Sequence, residues 1–391
     1  MYNILTLNAI SPKGLEKLPG EQFAVSADIT KPDGIIVRSA DMHDYSIPDT
    51  LLAIARAGAG TNNIPVDSCA EKGVVVFNTP GANANAVKEL VIASLLISSR
   101  KITEAAEWTK TLKGQPDMDK LIEGGKKKYA GPEIIGKKLG VIGLGAIGVL
   151  VANAALALGM EVVGYDPFLS VHSAWHISGQ VSLAKSVDEV VSVCDYITIH
   201  IPQNENTKKM IDAELLKKFK KGARLINLSR GGLIDPAAVA DALDEGILNK
   251  FVTDFADNEL LGKENVITLP HLGASTPESE ENCAAMAAVE LKNFIEYGNI
   301  KNSVNFPNCE TPYTGKARVT VAHKNIPNMV GSITAIFAKE NLNIDNMINK
   351  SKGNWAYTII DLDTLGDKHD SLIKELKELK GVVKARIVRE N

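Results

Sequence analysis

Cysteine is scarce in this chain. There are four, Cys69, Cys194, Cys283 and Cys309, and no two form a CxxC pair. Such spacing argues against a zinc site or a disulfide frame and fits free thiols in a reducing cytosol. A basic surplus is also missing: 43 Lys and Arg stand against 47 Asp and Glu, for a net charge of −4. Nucleic-acid-binding domains carry a basic excess or stripe, so no nucleic acid is expected as a partner. The one dense basic cluster, Lys126-Lys127-Lys128, is flanked by glycines and reads as a solvated loop. Long hydrophobic runs are absent too. The longest apolar stretch, "VLVANAALALG", is broken by Asn153 and is too short to span a bilayer. The opening "MYNILTLNAI" lacks the basic region and apolar length of a signal peptide. The expectation is a cytoplasmic protein with no membrane partner. His172 and His176 stand four apart, but no third ligand or HExxH glutamate accompanies them, so no metal is expected.

What is present is an ordinary globular composition, 45% hydrophobic and 23% charged. At 391 residues the chain is too long for one core, so two or three domains are expected. Apolar, β-branched runs recur through two series. The first holds "ILTL", "FAVSA", "GIIVRS", "LLAIARAG" and "GVVVFNT"; the second holds "LGVIGLG", "MEVVGYD", "DYITIHI", "ARLINLS", "KFVTDF" and "NVITLPH". Helix-patterned segments separate many of them. Strands alternating with helices build parallel sheets, and unbroken apolar runs suit strands buried on both faces. Long helices at 85–102 and 276–298 flank the second series. The second α/β domain is therefore read as inserted into the first, with a cleft where the chain crosses. Residues 303–316, with two prolines and a closing Thr-Gly-Lys, read as a linker. A strand-helix-strand-strand-helix-strand order follows, the split-βαβ arrangement. The expected division is 1–88 with 273–302 for a substrate-binding domain, 89–272 for a dinucleotide-binding domain, 303–316 for the linker and 317–391 for a third domain.

"KKLGVIGLGAIGVLVANAALALGMEVVGYDPF" is the most informative stretch. Gly143, Gly145 and Gly148 form GxGxxG between a strand and a helix, and Asp166 ends the next strand 23 residues after Gly143. Gly143 permits the tight turn, Gly145 lets the backbone approach a pyrophosphate, and Gly148 lets helix and strand pack closely. Ala146 and Ile147 open the helix whose free N–H groups face the phosphates. Asp166 can accept from both adenosine ribose hydroxyls and would repel a 2′-phosphate, so NAD is expected rather than NADP. Ligands bind outside the carboxyl ends of the strands in such a sheet. The polar residues that follow the apolar runs are Pro202, Ser229, Arg230, Asp254 and His271, with Thr207 just beyond Pro202. Glycine, acid, guanidinium and imidazole thus collect on one sheet edge.

"NLSRGGLIDPAAVADAL" and "TLPHLGAST", with the GxGxxG unit, resemble the D-isomer-specific 2-hydroxyacid dehydrogenase family. The resemblance covers essentially the whole chain. It implies a Rossmann-type doubly wound sheet inserted into a flavodoxin-like substrate domain, and a homodimer or homotetramer. In the family's pattern Arg230 matches the substrate-binding arginine and His271 the acid/base. Glu259, 29 residues after Arg230, matches the acidic partner of the histidine, and Asp254 the acid near the nicotinamide. Here the usual Asp-Val-Phe-x-x-Glu-Pro reads "DFADNELL", so Asp257 rivals Glu259. The implied reaction takes a proton from the substrate C2 hydroxyl to His271 while hydride leaves C2. Arg38, Ser39 and Asn83 match substrate-side residues of relatives that take a phosphorylated acid. A second arginine of some relatives is Ala40 here, and Arg56 could replace its charge. The expected substrate is D-3-phosphoglycerate, the entry to serine synthesis. Hydroxypyruvate or glyoxylate reduction is the alternative, and an NAD-sensing, corepressor-like binding protein is the reading from another class. From "VAHKNIPNMVGSI" onward the chain resembles an ACT domain, a ferredoxin-like regulatory module. His323, Asn325 and Asn343 match its effector residues, and the usual Pro-Gly is Pro327-Asn328.

Overall fold

The computed structural model describes residues 1–314, 316–366 and 368–390. Gly315 of the expected linker, and Asp367 and Asn391 of the expected third domain, lie outside the described residues. Two compact units divide the chain: Met1–Asn83 with Pro277–Asn391, and Ala84–Thr276. The inserted unit therefore begins at Ala84, not 89, because helix Ala84–Ser99 is one element. Its Val87, Val91 and Leu95 pack into the inserted unit's core with Leu139, Val141 and Val252.

In the first unit five parallel strands lie in the order Phe23–Ser26, Tyr2–Leu7, Gly34–Val37, Ala53–Arg56, Val75–Phe77. This is the flavodoxin-like order. Gly34–Val37, the central strand, is buried along its whole length, as its unbroken apolar run requires. Helix Pro277–Tyr297 packs Cys283, Ala287, Leu291 and Phe294 into the core with Ile4, Ile36 and Phe77.

In the inserted unit seven parallel strands lie in the order Val266–Thr268, Leu248–Thr253, Ala223–Asn227, Tyr196–Ile199, Lys138–Ile142, Glu161–Tyr165, Ser182–Leu183. Chain order reverses on either side of Lys138–Ile142. The carboxyl end of that strand is the switch point where such sheets bind ligands. The lysine cluster expected as loop forms a short 3-10 helix, Lys126–Tyr129, with Tyr129 stacked on Trp108 at 5.2 Å.

The C-terminal elements are Ala317–Lys324, helix Met329–Lys339, Ile344–Lys352, Trp355–Leu362, helix His369–Glu378 and Val382–Glu390. They keep the βαββαβ order and form an antiparallel sheet in the order Ile344–Lys352, Trp355–Leu362, Ala317–Lys324, Val382–Glu390. One face packs under the two helices through Val319, Val321, Ile333, Phe337 and Leu372. The other face sends Ala322, Tyr357 and Ile359 into the core of Phe294, Phe306 and Cys309. Both faces of the two middle strands are thus covered. Arg318 is buried there in a bidentate pair with Asp361, Nε to Oδ1 at 2.6 Å and Nη2 to Oδ2 at 2.8 Å. Its Nη1 also donates to the Tyr297 carbonyl at 2.9 Å.

The start of the expected linker is not a free connector. Val304 N–H donates to the Val76 carbonyl, and the Asn305 side chain accepts from Val76 N–H and donates to the Val74 carbonyl. Phe306 is fully buried beneath it. No helix among the described residues is long and apolar enough to cross a membrane.

Candidate active site

The glycine turn differs at each of its three positions. Gly143 has φ +94°, and a Cβ there would meet the His200 carbonyl oxygen at 2.5 Å. At Gly148 a Cβ would lie 1.9 Å from the Gly143 carbonyl oxygen. Gly145 is open: nothing lies within 4 Å of a Cβ built on it. Two glycines therefore serve packing, and the middle one leaves a bare cradle. Gly145 is also the N-cap of helix Ala146–Ala157, whose first N–H groups receive no side-chain cap. Uncapped N–H groups beside open space suit a phosphate. Asp166 accepts from Leu144 N–H and Phe168 N–H, both at 2.8 Å, which fixes its carboxylate at the rim of the turn. These residues fit a dinucleotide.

Further along the same sheet edge the loop after Tyr196–Ile199 is fastened internally. Thr207 Oγ1 donates to the Pro202 carbonyl at 2.7 Å, and Ser229 Oγ donates to the Ile201 carbonyl at 2.8 Å. Asn227 Nδ2 holds the Arg230 carbonyl at 2.9 Å. The Arg230 guanidinium is exposed, and among the described residues it bonds only its neighbour's carbonyl, Ser229, at 2.7 Å. Gly231 and Gly232 let Phe255 and the Gln203 side chain come close beneath it, each where a Cβ would crowd.

Asp254 and His271 form the centre. Asp254 ends strand Leu248–Thr253 with its side chain fully buried, and among the described residues neither oxygen has a partner at full hydrogen-bond geometry. His271 Nδ1 lies 3.4 Å from Asp254 Oδ2 while the imidazole remains exposed on its other side. Burial raises the Asp254 pKa, opposed by the charges of His271 and Arg230 and by the Gly273 N–H. Phe255 packs its ring on the imidazole, centroids 4.9 Å apart. An exposed imidazole backed by a buried carboxylate can exchange a proton with a ligand, and the carboxylate can orient the ring. Arg230, close enough for Asp254 to feel its charge, offers a fork for a carboxylate.

The structure corrects the expected partner of His271. Glu259 makes no ion pair or side-chain hydrogen bond among the described residues. Asp257 caps the turn by accepting Glu259 N–H at 2.8 Å, and Leu260 is the residue that turns into the core. The carboxylate against the imidazole is Asp254. Sequence reading also passed over His200. It ends strand Tyr196–Ile199 beside Gly143, with Nε2 3.0 Å from Thr198 Oγ1 and Nδ1 without a partner. Burial pushes its pKa down to about 4, so it is a neutral ring. Its place after an apolar run, like that of His271, was the available signal.

Of the substrate-side residues, Arg38 follows strand Gly34–Val37 and pairs with Glu280 at 2.5 Å. Ser39 N–H and Ala40 N–H are held by Asn8 Oδ1. Asn83 sits in the turn before helix Ala84–Ser99. Arg56 donates from Nε to the Arg38 carbonyl at 3.0 Å, and its guanidinium fills the space over Gly58, which marks it as structural. In the C-terminal sheet His323 is buried with both ring nitrogens engaged, by the Lys324 carbonyl and Thr358 Oγ1 at 2.9 Å each. It cannot reach a ligand as expected. His323 pairs in register with Ala356, while Asn343, bonded to Asp363, lies at the other end of the same strand. Asn325 bonds the Gly353 carbonyl at 3.1 Å. Within one chain the three expected effector residues do not converge. Asn328 adopts φ +67°, keeping the backbone of the glycine it replaces.

Residues 92–273 match the family described as D-isomer specific 2-hydroxyacid dehydrogenase, NAD binding domain. The chain is 31% identical over 351 residues to D-3-phosphoglycerate dehydrogenase of Escherichia coli strain K12, covering 87% of this chain and 82% of that one. The enzyme of the same name from Methanocaldococcus jannaschii is 34% identical over 314 residues, 78% of this chain and 57% of that one. Among solved structures, the NAD+-bound 3-phosphoglycerate dehydrogenase of Entamoeba histolytica has a TM-score of 0.59 at 26% identity, over 78% of this chain and 98% of that one. Holo D-mandelate dehydrogenase of Rhodotorula graminis, with a TM-score of 0.67 at 22% identity over 80% of this chain and 99% of that one, shares the fold. With the glycine cradle, the Asp166 rim and the imidazole on one sheet edge, the chain is an NAD-dependent oxidoreductase and belongs to the D-isomer specific 2-hydroxyacid dehydrogenase family.

Proposed function

We propose that the protein oxidises D-3-phosphoglycerate to 3-phosphohydroxypyruvate, the step that opens serine synthesis. The observation that carries the reading is the 31% identity to the E. coli enzyme over 82% of its length. Gly145, the open N-terminus of helix Ala146–Ala157 and Asp166 would hold the dinucleotide, with NAD favoured by the acid. When bound, NAD supplies the hydride acceptor. Arg230 holds the substrate carboxylate and polarises the C2 oxygen. His271 takes the C2 hydroxyl proton, and buried Asp254 orients the ring. In reverse the protonated ring returns the proton to the ketone. Substrate phosphate goes to Arg38, displacing Glu280. Ser39 and Asn83 are assigned to the same side of the substrate. The C-terminal βαββαβ unit is assigned as an ACT regulatory domain, and the working protein as a cytoplasmic homodimer or homotetramer.

The Arg38–Glu280 pair favours a second reading, reduction of an unphosphorylated acid such as hydroxypyruvate or glyoxylate. The test is NADH formation on adding 3-phosphoglycerate, run for the parent protein and Arg38→Ala. On the first reading the variant loses phosphoglycerate turnover far more than turnover of an unphosphorylated hydroxy acid. Equal losses, or no turnover of phosphoglycerate by the parent, reject it.

A further inference from the structure

A cavity of about 430 Å³ opens where the C-terminal sheet meets the flavodoxin-like part of its own unit. Its wall carries Lys72, Lys377, Lys384 and Arg386 against a single carboxylate, Asp49. Among the described residues none of these four cations has an ion-pair partner within 4.0 Å. Three of them bond backbone carbonyls instead. Lys72 Nζ donates to the Ile47 carbonyl at 3.1 Å, and Lys384 Nζ to the Leu51 carbonyl. Arg386 is spent on the carbonyls of Phe294 and Ile295, where its guanidinium also covers the Phe294 ring.

Lys384 is the least exposed lysine of the set. Gly73, at φ +66°, brings the end of helix Val66–Glu71 so close that a Cβ there would meet Lys384 Cβ at 2.5 Å. Burial and the Arg386 charge lower the Lys384 pKa to about 8, with Asp49 opposing them. A partly buried cation with no counter-ion is costly. Three lysines converge on one cavity that offers them a single carboxylate, Asp49, and an entering anion would balance the excess. Lysines act as point charges with rotatable donors and suit a tetrahedral oxyanion, whereas the planar fork of Arg386 is already committed. The cavity is of small-ligand size, and Leu52, Val74 and Val383 give it an apolar side for an organic group.

We propose that this cavity binds phosphate or a small phosphate monoester through Lys72, Lys377 and Lys384, clasping the C-terminal sheet to the strand and loop it lies against. The cavity's lining includes none of the residues proposed for hydride transfer, and the proposal does not depend on the substrate assignment.

The test is trace acetylation of the full-length protein with acetic anhydride, read as the labelling rate of the Lys384 peptide by mass spectrometry. Exposed Lys113 serves as the internal reference. Inorganic phosphate and glycerol phosphate are compared with chloride at matched ionic strength. At about ten times the Kd, occupancy should slow Lys384 labelling roughly tenfold and leave Lys113 unchanged. Glycerol phosphate should protect at least as well as phosphate. Arg230→Ala should retain the protection. The double variant Lys72→Ala/Lys377→Ala, which changes two exposed side chains, should lose most of it. Unchanged Lys384 labelling overturns the proposal, as does equal protection by chloride. Protection that survives the double variant, or that disappears with Arg230→Ala, also overturns it.

Discussion

A buried carboxylate is expensive, and the imidazole at 3.4 Å, the nearby guanidinium and the Gly273 N–H offset that cost for Asp254. Its role is therefore separable by substitution. Positioned acid/base catalysis contributes ~10²–10⁴-fold, so His271→Ala should lose that much turnover while NAD binding, followed by NADH fluorescence, stays nearly intact. Asp254→Asn should lose a share of it, on the order of tenfold or more, because the ring is no longer oriented. Glu259→Gln should stay within about twofold, as exposed positions away from a site usually do. Turnover unaffected by Asp254→Asn but abolished by Glu259→Gln would restore the sequence-based pairing. Stability provides an independent readout. Burial holds the Asp254 carboxyl above its ordinary 3.8. A raised folded-state value means the contribution is intact below the ordinary carboxylate range and is lost as pH rises through the folded value. Asp254→Asn removes that loss, so the slower variant should melt higher than the parent at pH 8. The glycine turn, Asp166, Arg230 and His271 were legible in sequence because each follows directly on an apolar run. The His271 partner was not, because strand-end spacing does not say which of three nearby acids turns inward.

Elements with a clear period were read to within a few residues, and those whose role depends on tertiary contacts were not. The flanking helix expected at 276–298 is Pro277–Tyr297. The stretch after it looked like a linker because its prolines and asparagines say nothing of Asn305 bonding the edge strand Val75–Phe77. Pattern likewise hides what the long helix buries on its far side. Glu290 lies within Pro277–Tyr297, 6% exposed, with one oxygen accepting Asn302 Nδ2 at 2.7 Å and the other unpartnered. Burial pushes its pKa up to about 8 from 4.5, against the Asn302 bond and Lys301, with Glu310 adding to the rise. The acid is neutral in the fold near pH 7 and ionised once unfolded. Its contribution is thus complete below pH 4.5 and is lost progressively as pH rises to about 8. At ~1.4 kcal/mol per pKa unit the loss is on the order of a few kcal/mol. Glu290→Gln keeps the Asn302 acceptor and cannot ionise. In urea melts its stability should fall less between pH 5 and 8.5 than that of the parent. Identical pH slopes would show that Glu290 is solvated.

At the scale of the whole chain, alternation of strands and helices disclosed two parallel sheets and the insertion of one into the other. The C-terminal βαββαβ order disclosed an antiparallel sheet. What pattern could not disclose is that the two middle strands of this last sheet, Ala317–Lys324 and Trp355–Leu362, are buried on both faces. "ARVTVAHK" alternates, yet Arg318 and His323 are as buried as the valines between them, because Asp361 and Thr358 satisfy them from the neighbouring strand. The face away from the helices seats Tyr357 on Phe294, and the Tyr357 hydroxyl donates to the Gly298 carbonyl at 2.9 Å. Gly298 itself, at φ +70°, comes so near that a Cβ would meet Thr320 Cγ2 at 2.6 Å. Arg386 closes the end of helix Pro277–Tyr297 by donating to its last carbonyls, a favourable site for a cation. A C-terminal module of this kind reads as a detachable appendage, and these contacts argue that it is part of the first unit's core. Ending the chain at Thr314 would uncover Phe294, Ile295, Phe306 and Cys309, all now buried. An apolar patch of that kind drives association. The shortened protein should therefore melt well below the parent by circular dichroism and sediment as aggregates, even though every residue proposed for hydride transfer is retained. Tyr357→Phe should show the same trend in miniature, since it leaves the Gly298 carbonyl buried without its donor at a cost of ~1–3 kcal/mol. A shortened chain that stays monodisperse and melts with the parent would mean that the helix and the 299–309 segment carry their own core, and that the sheet merely rests on it.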